Sequence, residues 1–217
     1  MNSRDVPKFI PSTGVGFMRP LYDPLVRYLA CQPQIHSHIV GQIDPLQCGS
    51  IADIGCGSGT LAIRMANLFP DATVHGIDID DRMLAQAQAK SGSANVCWIQ
   101  APADKLPFDA RSFDVVTCSL LLHHLTDHEK SESLKEVQRL LRSGGTLLLA
   151  DYDLPASTFA RLRFSIVRAL DGWDRTRAHS LGQLPQLLRD AGFTDASETA
   201  CIATPLGTVR CYRTISC

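Results

Sequence analysis

The sequence has eight cysteines, at positions 31, 48, 56, 97, 118, 201, 211 and 217, and no C-x-x-C pair among them. That absence argues against a structural zinc site and against a dithiol redox pair. Cys118, inside the apolar run VVTCSLLL, reads as a small hydrophobe. No apolar stretch approaches the roughly 20 residues needed to cross a bilayer, so no membrane span is expected. The opening MNSRDVPKFIP has no apolar h-region. A signal peptide is therefore not expected, and a reducing cytoplasm is the expected compartment. Charge of one sign is lacking too: 21 Lys plus Arg against 22 Asp plus Glu leave a net charge of -1. Non-specific nucleic-acid binding needs a strongly basic face, so no nucleic-acid partner is expected. What is present is ordinary for a globular chain: 217 residues, 45% hydrophobic and 20% charged, enough to bury a core without a staple.

From residue 50 onward, strand-like and helix-like segments alternate. Strands are expected at 50–54, 73–78, 95–100, 113–119 and 146–150. Helices are expected at 60–69, at 82–90 with Asp81 as its cap, and at 127–142, where Ser143-Gly144-Gly145 ends the turn. Beyond Asp151 the pattern predicts helices at 159–170 and 184–191. A strand pair at 193–203 and 208–215 follows, with turn chemistry from Pro205 and Gly207. Continuous apolar strands alternating with helices imply a parallel sheet covered on both faces. The fold class is therefore α/β: a doubly wound, mostly parallel seven-stranded sheet with the last strand antiparallel. The proline-rich residues 1–48, with broken helical patterning around 25–43, read as an N-terminal helical cap on that sheet.

The segment IADIGCGSGT, Ile51 to Thr60, runs from a strand through glycines at 55, 57 and 59 into a helix. Glycines at a strand-to-helix turn permit positive φ and let a ligand approach the backbone. Asp78 closes the next strand, 21 residues after Gly57. That is the distance at which nucleotide folds set a carboxylate on the ribose hydroxyls. The unit reads as a nucleoside-binding βαβ. The dinucleotide fingerprint G-x-G-x-x-G/A is not met, because Thr60 stands at its last position and Asp53 lies two residues ahead of the first glycine.

Four motifs occur in order: IADIGCGSGT, VHGIDID, LPFDARSFDVVTCSLLLHHL and LKEVQRLLRSGGTLLLAD. On these the chain resembles the class I S-adenosylmethionine-dependent methyltransferases, in the small-molecule branch of the ubiquinone/menaquinone C-methyltransferases. The resemblance is close over residues 50–151 and loose on the flanks. It implies S-adenosyl-L-methionine as cofactor and a small, partly apolar methyl acceptor. By the same resemblance, Asp53, Gly55, Cys56, Gly57, Ser58 and Gly59 hold the methionine part. Asp78 binds the ribose, Ile79 packs on the adenine, and Ala103, before Asp104, offers its N–H to the ring. Ser119 lies near the methionine part, and Tyr22 closes over the cofactor from the cap, a core tyrosine being the alternative. Many relatives carry an aspartate where this chain has Pro102; Asp104 is the carboxylate that could replace it.

His123 and His124 follow the fourth strand, where the family's acceptor meets the methyl group. They are the candidate catalytic residues, since imidazole suits proton removal near neutral pH. The alternative is that they orient backbone or pack near the cofactor. His124 and His128 are four apart with Asp127 adjacent, a spacing that could suggest a metal; without a third clear ligand no metal is expected, and they read as solvated loop residues. Residues 152–180 mix aromatics with arginines and form a candidate substrate lid. Its alternative is an amphipathic helix on the sheet. His124, Phe159 and Trp173 are the candidate substrate contacts. The expected organisation is one domain, 1–217: cap 1–48, cofactor-binding core 49–151, lid 152–180, and 181–217 completing the sheet. The competing readings are a nicotinamide-dependent oxidoreductase, disfavoured by Thr60, and a non-catalytic nucleotide-binding module, disfavoured by the intact glycines and Asp78. RNA or protein methylation is disfavoured because SLLLHHL stands where an NPPY-type motif would fall.

Overall fold

The structure, a computed structural model, describes residues 31–216. Seven strands form one sheet: β1 (Ser50–Ile54), β2 (Thr73–Asp78), β3 (Val96–Gln100), β4 (Phe113–Ser119), β5 (Leu141–Tyr152), β6 (Ser197–Thr204) and β7 (Gly207–Ile215). Their order is β3-β2-β1-β4-β5-β7-β6. The first five are parallel, and β7 runs antiparallel to both β5 and β6. The doubly wound, mostly parallel sheet expected from the sequence is thus present. The chain reverses direction across β1, with β2 on one side and β4 on the other, and leaves a crevice at the carboxyl ends of those strands.

The helices are α1 (Gln32–Val40), α2 (Thr60–Leu68), α3 (Asp81–Lys90), α4 (Asp127–Leu140), α5 (Thr158–Asp171), α6 (Arg177–Ser180) and α7 (Leu184–Asp190). Period-two alternation sends successive strand residues to opposite faces, and both faces are apolar. Ala52, Ile54, Val116, Cys118, Leu147 and Leu149 pack with Leu134 and Val137 of α4 and Leu184 and Leu188 of α7. Ile51, Val115, Leu148 and Ala150 pack with Ile35 and Ile39 of α1, Leu61 and Met65 of α2, and Phe164 and Val167 of α5.

Several boundaries differ from the pattern. Asp80, not Asp81, caps α3: its side chain accepts from the Arg82 N–H at 2.9 Å. The fourth helix stops at Leu140 rather than at the Ser143-Gly144-Gly145 turn. Leu141 is already extended and buried, pairing with Phe113, so sheet packing ends the helix before the glycines do. The sixth strand starts at Ser197, because Phe193 is wholly buried in the core beside α7. The short α6 and a 3-10 turn at Leu122–His124 carry no periodicity long enough to be read. Lys130 of α4 is fully buried, and its ammonium donates to the Leu125 carbonyl, the Asp127 carboxylate and the Arg175 carbonyl. It therefore ties the chain after α5 to the start of α4.

Trp98 lies flat across two glycines. A Cβ at Gly76 would sit 2.3 Å from its Cζ3, and one at Gly59 2.3 Å from its Cη2. The indole N–H donates to Ser91 Oγ at 3.1 Å, which holds the ring over the root of the glycine loop. Gly76→Ala should therefore overpack this contact. We expect a loss of about 1–3 kcal/mol in urea-unfolding free energy. Unchanged stability would mean that Trp98 moves aside freely.

Candidate active site

The glycine loop is pinned from below and open above. Gly55 N–H and Cys56 N–H both donate to the Ile77 carbonyl, at 2.8 and 2.9 Å. Gly57 N–H donates to Asp78 Oδ2 at 2.8 Å. All three loop glycines have positive φ, at 70°, 52° and 73°. Leu121 lies against Gly55, whereas nothing stands within 4 Å of the place a Cβ on Gly57 would occupy. The backbone at Gly57 is therefore the part of the loop a ligand can reach.

Two carboxylates flank it. Asp78 accepts from Gly57 and, through Oδ1, from the Asp80 N–H at 2.9 Å. Burial raises its pKa, and those hydrogen bonds oppose the shift. Each carboxylate oxygen has a second lone pair, so both can still accept from ribose hydroxyls. Asp53 is 2% exposed, with Oδ1 accepting from Thr117 Oγ1 at 2.7 Å and Oδ2 without a hydrogen-bond partner. Burial, with a smaller contribution from Asp78, pushes its pKa to about 7. Ser119 Oγ at the end of β4 is likewise buried without a partner. Unspent acceptor capacity beside an open glycine loop fits a ligand that carries a ribose and an ammonium group.

The other expected cofactor residues divide. Ile79 is 42% exposed at the rim, as a platform for a ring requires, and Ala103 is half-buried while Asp104 is exposed. Ser58 is turned away toward α3, its Oγ accepting from Lys90 Nζ at 3.0 Å. Cys56 is half-buried, and burial pushes its thiol far up, which makes it loop wall and not a nucleophile. Tyr22 lies outside the described residues.

Beyond β4 the 3-10 turn delivers His123 and His124 to a second carboxylate pair. Asp151, at the end of β5 and fully buried, accepts from His123 Nδ1 at 2.6 Å, Tyr152 N–H at 2.7 Å, Leu122 N–H at 2.7 Å and His123 N–H at 3.3 Å. Burial alone would raise this carboxyl, but the charge and hydrogen bond of His123 overcome it and hold it well below the usual range. Burial likewise works against the His123 charge, and Asp151 with Asp171 outweighs it, raising the pKa. His124 Nδ1 meets Asp171 Oδ1, the last residue of α5, at 3.0 Å. Burial and the neighbouring His123 lower the His124 pKa. A carboxylate only accepts, so His124 Nδ1 carries the proton and Nε2 is left with a lone pair.

The lid residues divide as well. Trp173 follows Asp171 by two positions, is 55% exposed, and lies under the Arg168 guanidinium at 4.2 Å. Phe159 sits at the far end of α5, roughly 18 Å along the axis from Asp171 at 1.5 Å per residue. It is 60% exposed beneath Arg163 and is not brought to the histidines. Sequence reasoning missed Asp151 and Asp171 as site residues. An acidic residue closing an apolar strand, like Asp53 and Asp78, was a usable signal for Asp151. Nothing local points to Asp171, 47 residues from its partner His124.

Fold and site together give a doubly wound domain whose open glycine loop and buried carboxylates lie at the carboxyl ends of its strands. Residues 51–145 match the methyltransferase domain family. A 27-O-demethylrifamycin SV methyltransferase of Amycolatopsis mediterranei is 35% identical over 159 residues, covering 70% of this chain and 57% of that protein. A ubiquinone/menaquinone biosynthesis C-methyltransferase of Desulfotalea psychrophila is 29% identical over 165 residues, covering 68% of this chain and 66% of that protein. The chain thus spans less than two thirds of the length of either relative. In fold, it superposes on an S-adenosylmethionine-dependent methyltransferase of Thermotoga maritima with a TM-score of 0.72, at 19% identity, covering 93% and 96% of the two chains. Over residues 51–145 the chain is thus similar to the methyltransferase domain family, and it shares its fold with S-adenosylmethionine-dependent methyltransferases. No helix among the described residues is long and apolar enough to cross a membrane.

Asp53 makes stability depend on pH. Below its ordinary pKa of 3.8 the carboxyl is protonated in folded and unfolded chain alike. Between there and about 7 the folded chain keeps a proton that the unfolded chain has lost. Stability conferred by this group is therefore lost as pH rises through that window, on the order of 4 kcal/mol in all. Without ligand, Asp53→Asn should flatten the decline between about pH 4 and 7 while keeping the Thr117 contact. Urea unfolding of both proteins across that range checks it. Parallel pH profiles would show Asp53 ionised throughout.

Proposed function

We propose that the protein transfers the methyl group of S-adenosylmethionine to a small acceptor with an apolar body, of the quinone type that several relatives' names describe. One observation carries this reading. The open backbone at Gly57 hydrogen-bonds the carboxylate that a ribose would need, and orphaned Asp53 Oδ2 and Ser119 Oγ lie at the ends of the adjoining strands. Asp78 would hold the ribose, Ile79 and Ala103 the adenine, and Asp53 with the loop the methionine ammonium and carboxylate. The bound sulfonium supplies an electrophilic methyl group and a neutral leaving group.

The protein's own task is then alignment and exclusion of water. Placing acceptor and donor in register is worth about 7–11 kcal/mol of barrier without acid–base help. Leu121, packed on Gly55, forms an apolar floor between the cofactor loop and the histidines. Across it stand His123, His124 and Asp171, the polar wall of the acceptor side. Neutral His124 presents Nε2 as an acceptor for a hydrogen bond or proton from an acceptor hydroxyl. Trp173, two residues beyond Asp171, is the aromatic placed to cover an apolar acceptor. A nicotinamide enzyme would instead need a third glycine where Thr60 begins α2.

Calorimetric titration with S-adenosylhomocysteine and, separately, NADH tests the assignment. Binding of the former and none of the latter is expected. Asp78→Ala should weaken S-adenosylhomocysteine binding by about 1.5–3 kcal/mol, roughly 10- to 150-fold, since charge-assisted hydrogen bonds are lost. NADH binding alone, or an unaltered dissociation constant in Asp78→Ala, would defeat the proposal.

A further inference from the structure

The second carboxylate cluster holds more donor atoms than alignment of an acceptor requires. Among the described residues, one ligand atom from each of His123, His124 and Asp171 lies within 4.8 Å of the other two. His124 Nδ1 and Asp171 Oδ1 are 3.0 Å apart, and His123 Nε2 is 4.0 Å from Asp171 Oδ2. Ligands on one metal ion at about 2.0–2.2 Å stand roughly 3 Å from each other, so a small closure brings all three onto one centre, with the ion displacing the proton that His124 Nδ1 otherwise donates to Asp171. Two imidazoles and one carboxylate, leaving positions open, is a donor set of catalytic transition-metal sites.

The surroundings support the same occupant. His123 Nδ1 is already committed to Asp151 at 2.6 Å, which turns Nε2 toward Asp171. A carboxylate on the far nitrogen of a ligating histidine is the usual outer partner of such sites. Asp151 is fully buried and the Asp171 side chain is 9% exposed, so both carboxylates lie out of solvent beside the two imidazoles. The buried ammonium of Lys130 is spent on Leu125, Asp127 and Arg175. A third imidazole, His179, is fully buried edge-on to His123 at 6.2 Å between centroids. Its Nδ1 meets the Tyr152 carbonyl at 2.7 Å, and its Nε2 has no partner. That is unspent capacity for a water held by an ion. The His124 side chain is 37% exposed, so the centre is open on the acceptor side.

We infer that His123, His124 and Asp171 form a site for a divalent transition-metal ion such as zinc, whose open positions take an oxygen atom of the methyl acceptor. This rests on the methyl-transfer reading for the acceptor, though not for the ion. The acceptor class narrows to molecules with a ring hydroxyl or carbonyl. Coordination there lowers the hydroxyl pKa and fixes the ring relative to the glycine loop. It also revises the expectation of no metal: the spacing suggested His124, Asp127 and His128, and the fold replaces the last two with His123 and Asp171.

The test titrates the metal-free full chain with Co2+, followed by visible absorption, and with Zn2+ by calorimetry. One saturable site per chain is expected. His124→Ala and Asp171→Asn should each weaken it at least about tenfold. Asp151→Asn should weaken it roughly 10–100-fold through the outer contact. His128→Ala should leave it unchanged. His124 is the most exposed of the three ligands, so its variant keeps the test decisive if a buried variant fails to fold. Absence of saturable binding, or binding indifferent to both His124→Ala and Asp171→Asn, overturns the site. So does methylation that ignores a chelator yet is lost in His124→Ala, which would leave the cluster a proton acceptor only. S-adenosylhomocysteine affinity, measured alongside, separates the two proposals. Its absence with cobalt binding intact would remove the methyl-transfer reading and leave the metal site standing.

Discussion

A parallel sheet covered on both faces has no room for charge along its strands, and the polar atoms that do chemistry collect where the strands end. Here three strands carry buried or half-buried carboxylates at or near their carboxyl ends: Asp53 in β1, Asp78 at the end of β2 and Asp151 in β5. Burial disfavours all three charges, and each carboxylate meets that cost differently. Asp151 gathers three backbone N–H groups and an imidazole and is held ionised. Asp78 takes two backbone N–H groups, and its pKa still rises. Asp53 has one hydroxyl and an orphaned oxygen, so its pKa climbs furthest toward neutrality. Ranked by satisfaction, the three run from a finished structural anchor to an acceptor with an unpartnered oxygen.

The anchor at Asp151 has consequences away from itself. By accepting from Leu122 and His123 it shapes the turn after β4, which lays Leu121 on Gly55 and turns His123 toward the end of α5. Helix α5 then delivers Asp171, and Lys130 fastens the segment after it to α4. The glycine loop and helix α5 are thus joined through one buried carboxylate and one buried ammonium. The proposed methyl transfer would use that connection, since donor and acceptor must be held in register more than they need a strong base.

Much of the architecture was legible because its signals are local. Ile51 to Thr60 states a strand, a positive-φ turn and a helix start within ten residues, and Asp78 follows at the spacing of one crossover. Boundaries failed where packing overrode local chemistry. Leu141 left the helix early to pair with Phe113, and Phe193 was taken from the sixth strand into the core. The Ser58 hydroxyl is likewise engaged by a residue distant in the chain, accepting from Lys90 of α3.

By itself the sequence determined the strand-and-helix alternation, the glycine loop and the carboxylates of the candidate cofactor pocket. Each of these depends on neighbours within one βαβ unit, where residue type and spacing suffice. Only the tertiary structure decided the acceptor side. His124 and Asp171 meet across 47 residues, through a turn bent by Asp151 and a helix seated on the opposite side of the chain's last parallel strand. Such meetings are set by how apolar faces pack, and packing brings together side chains whose separation along the chain carries no record of it.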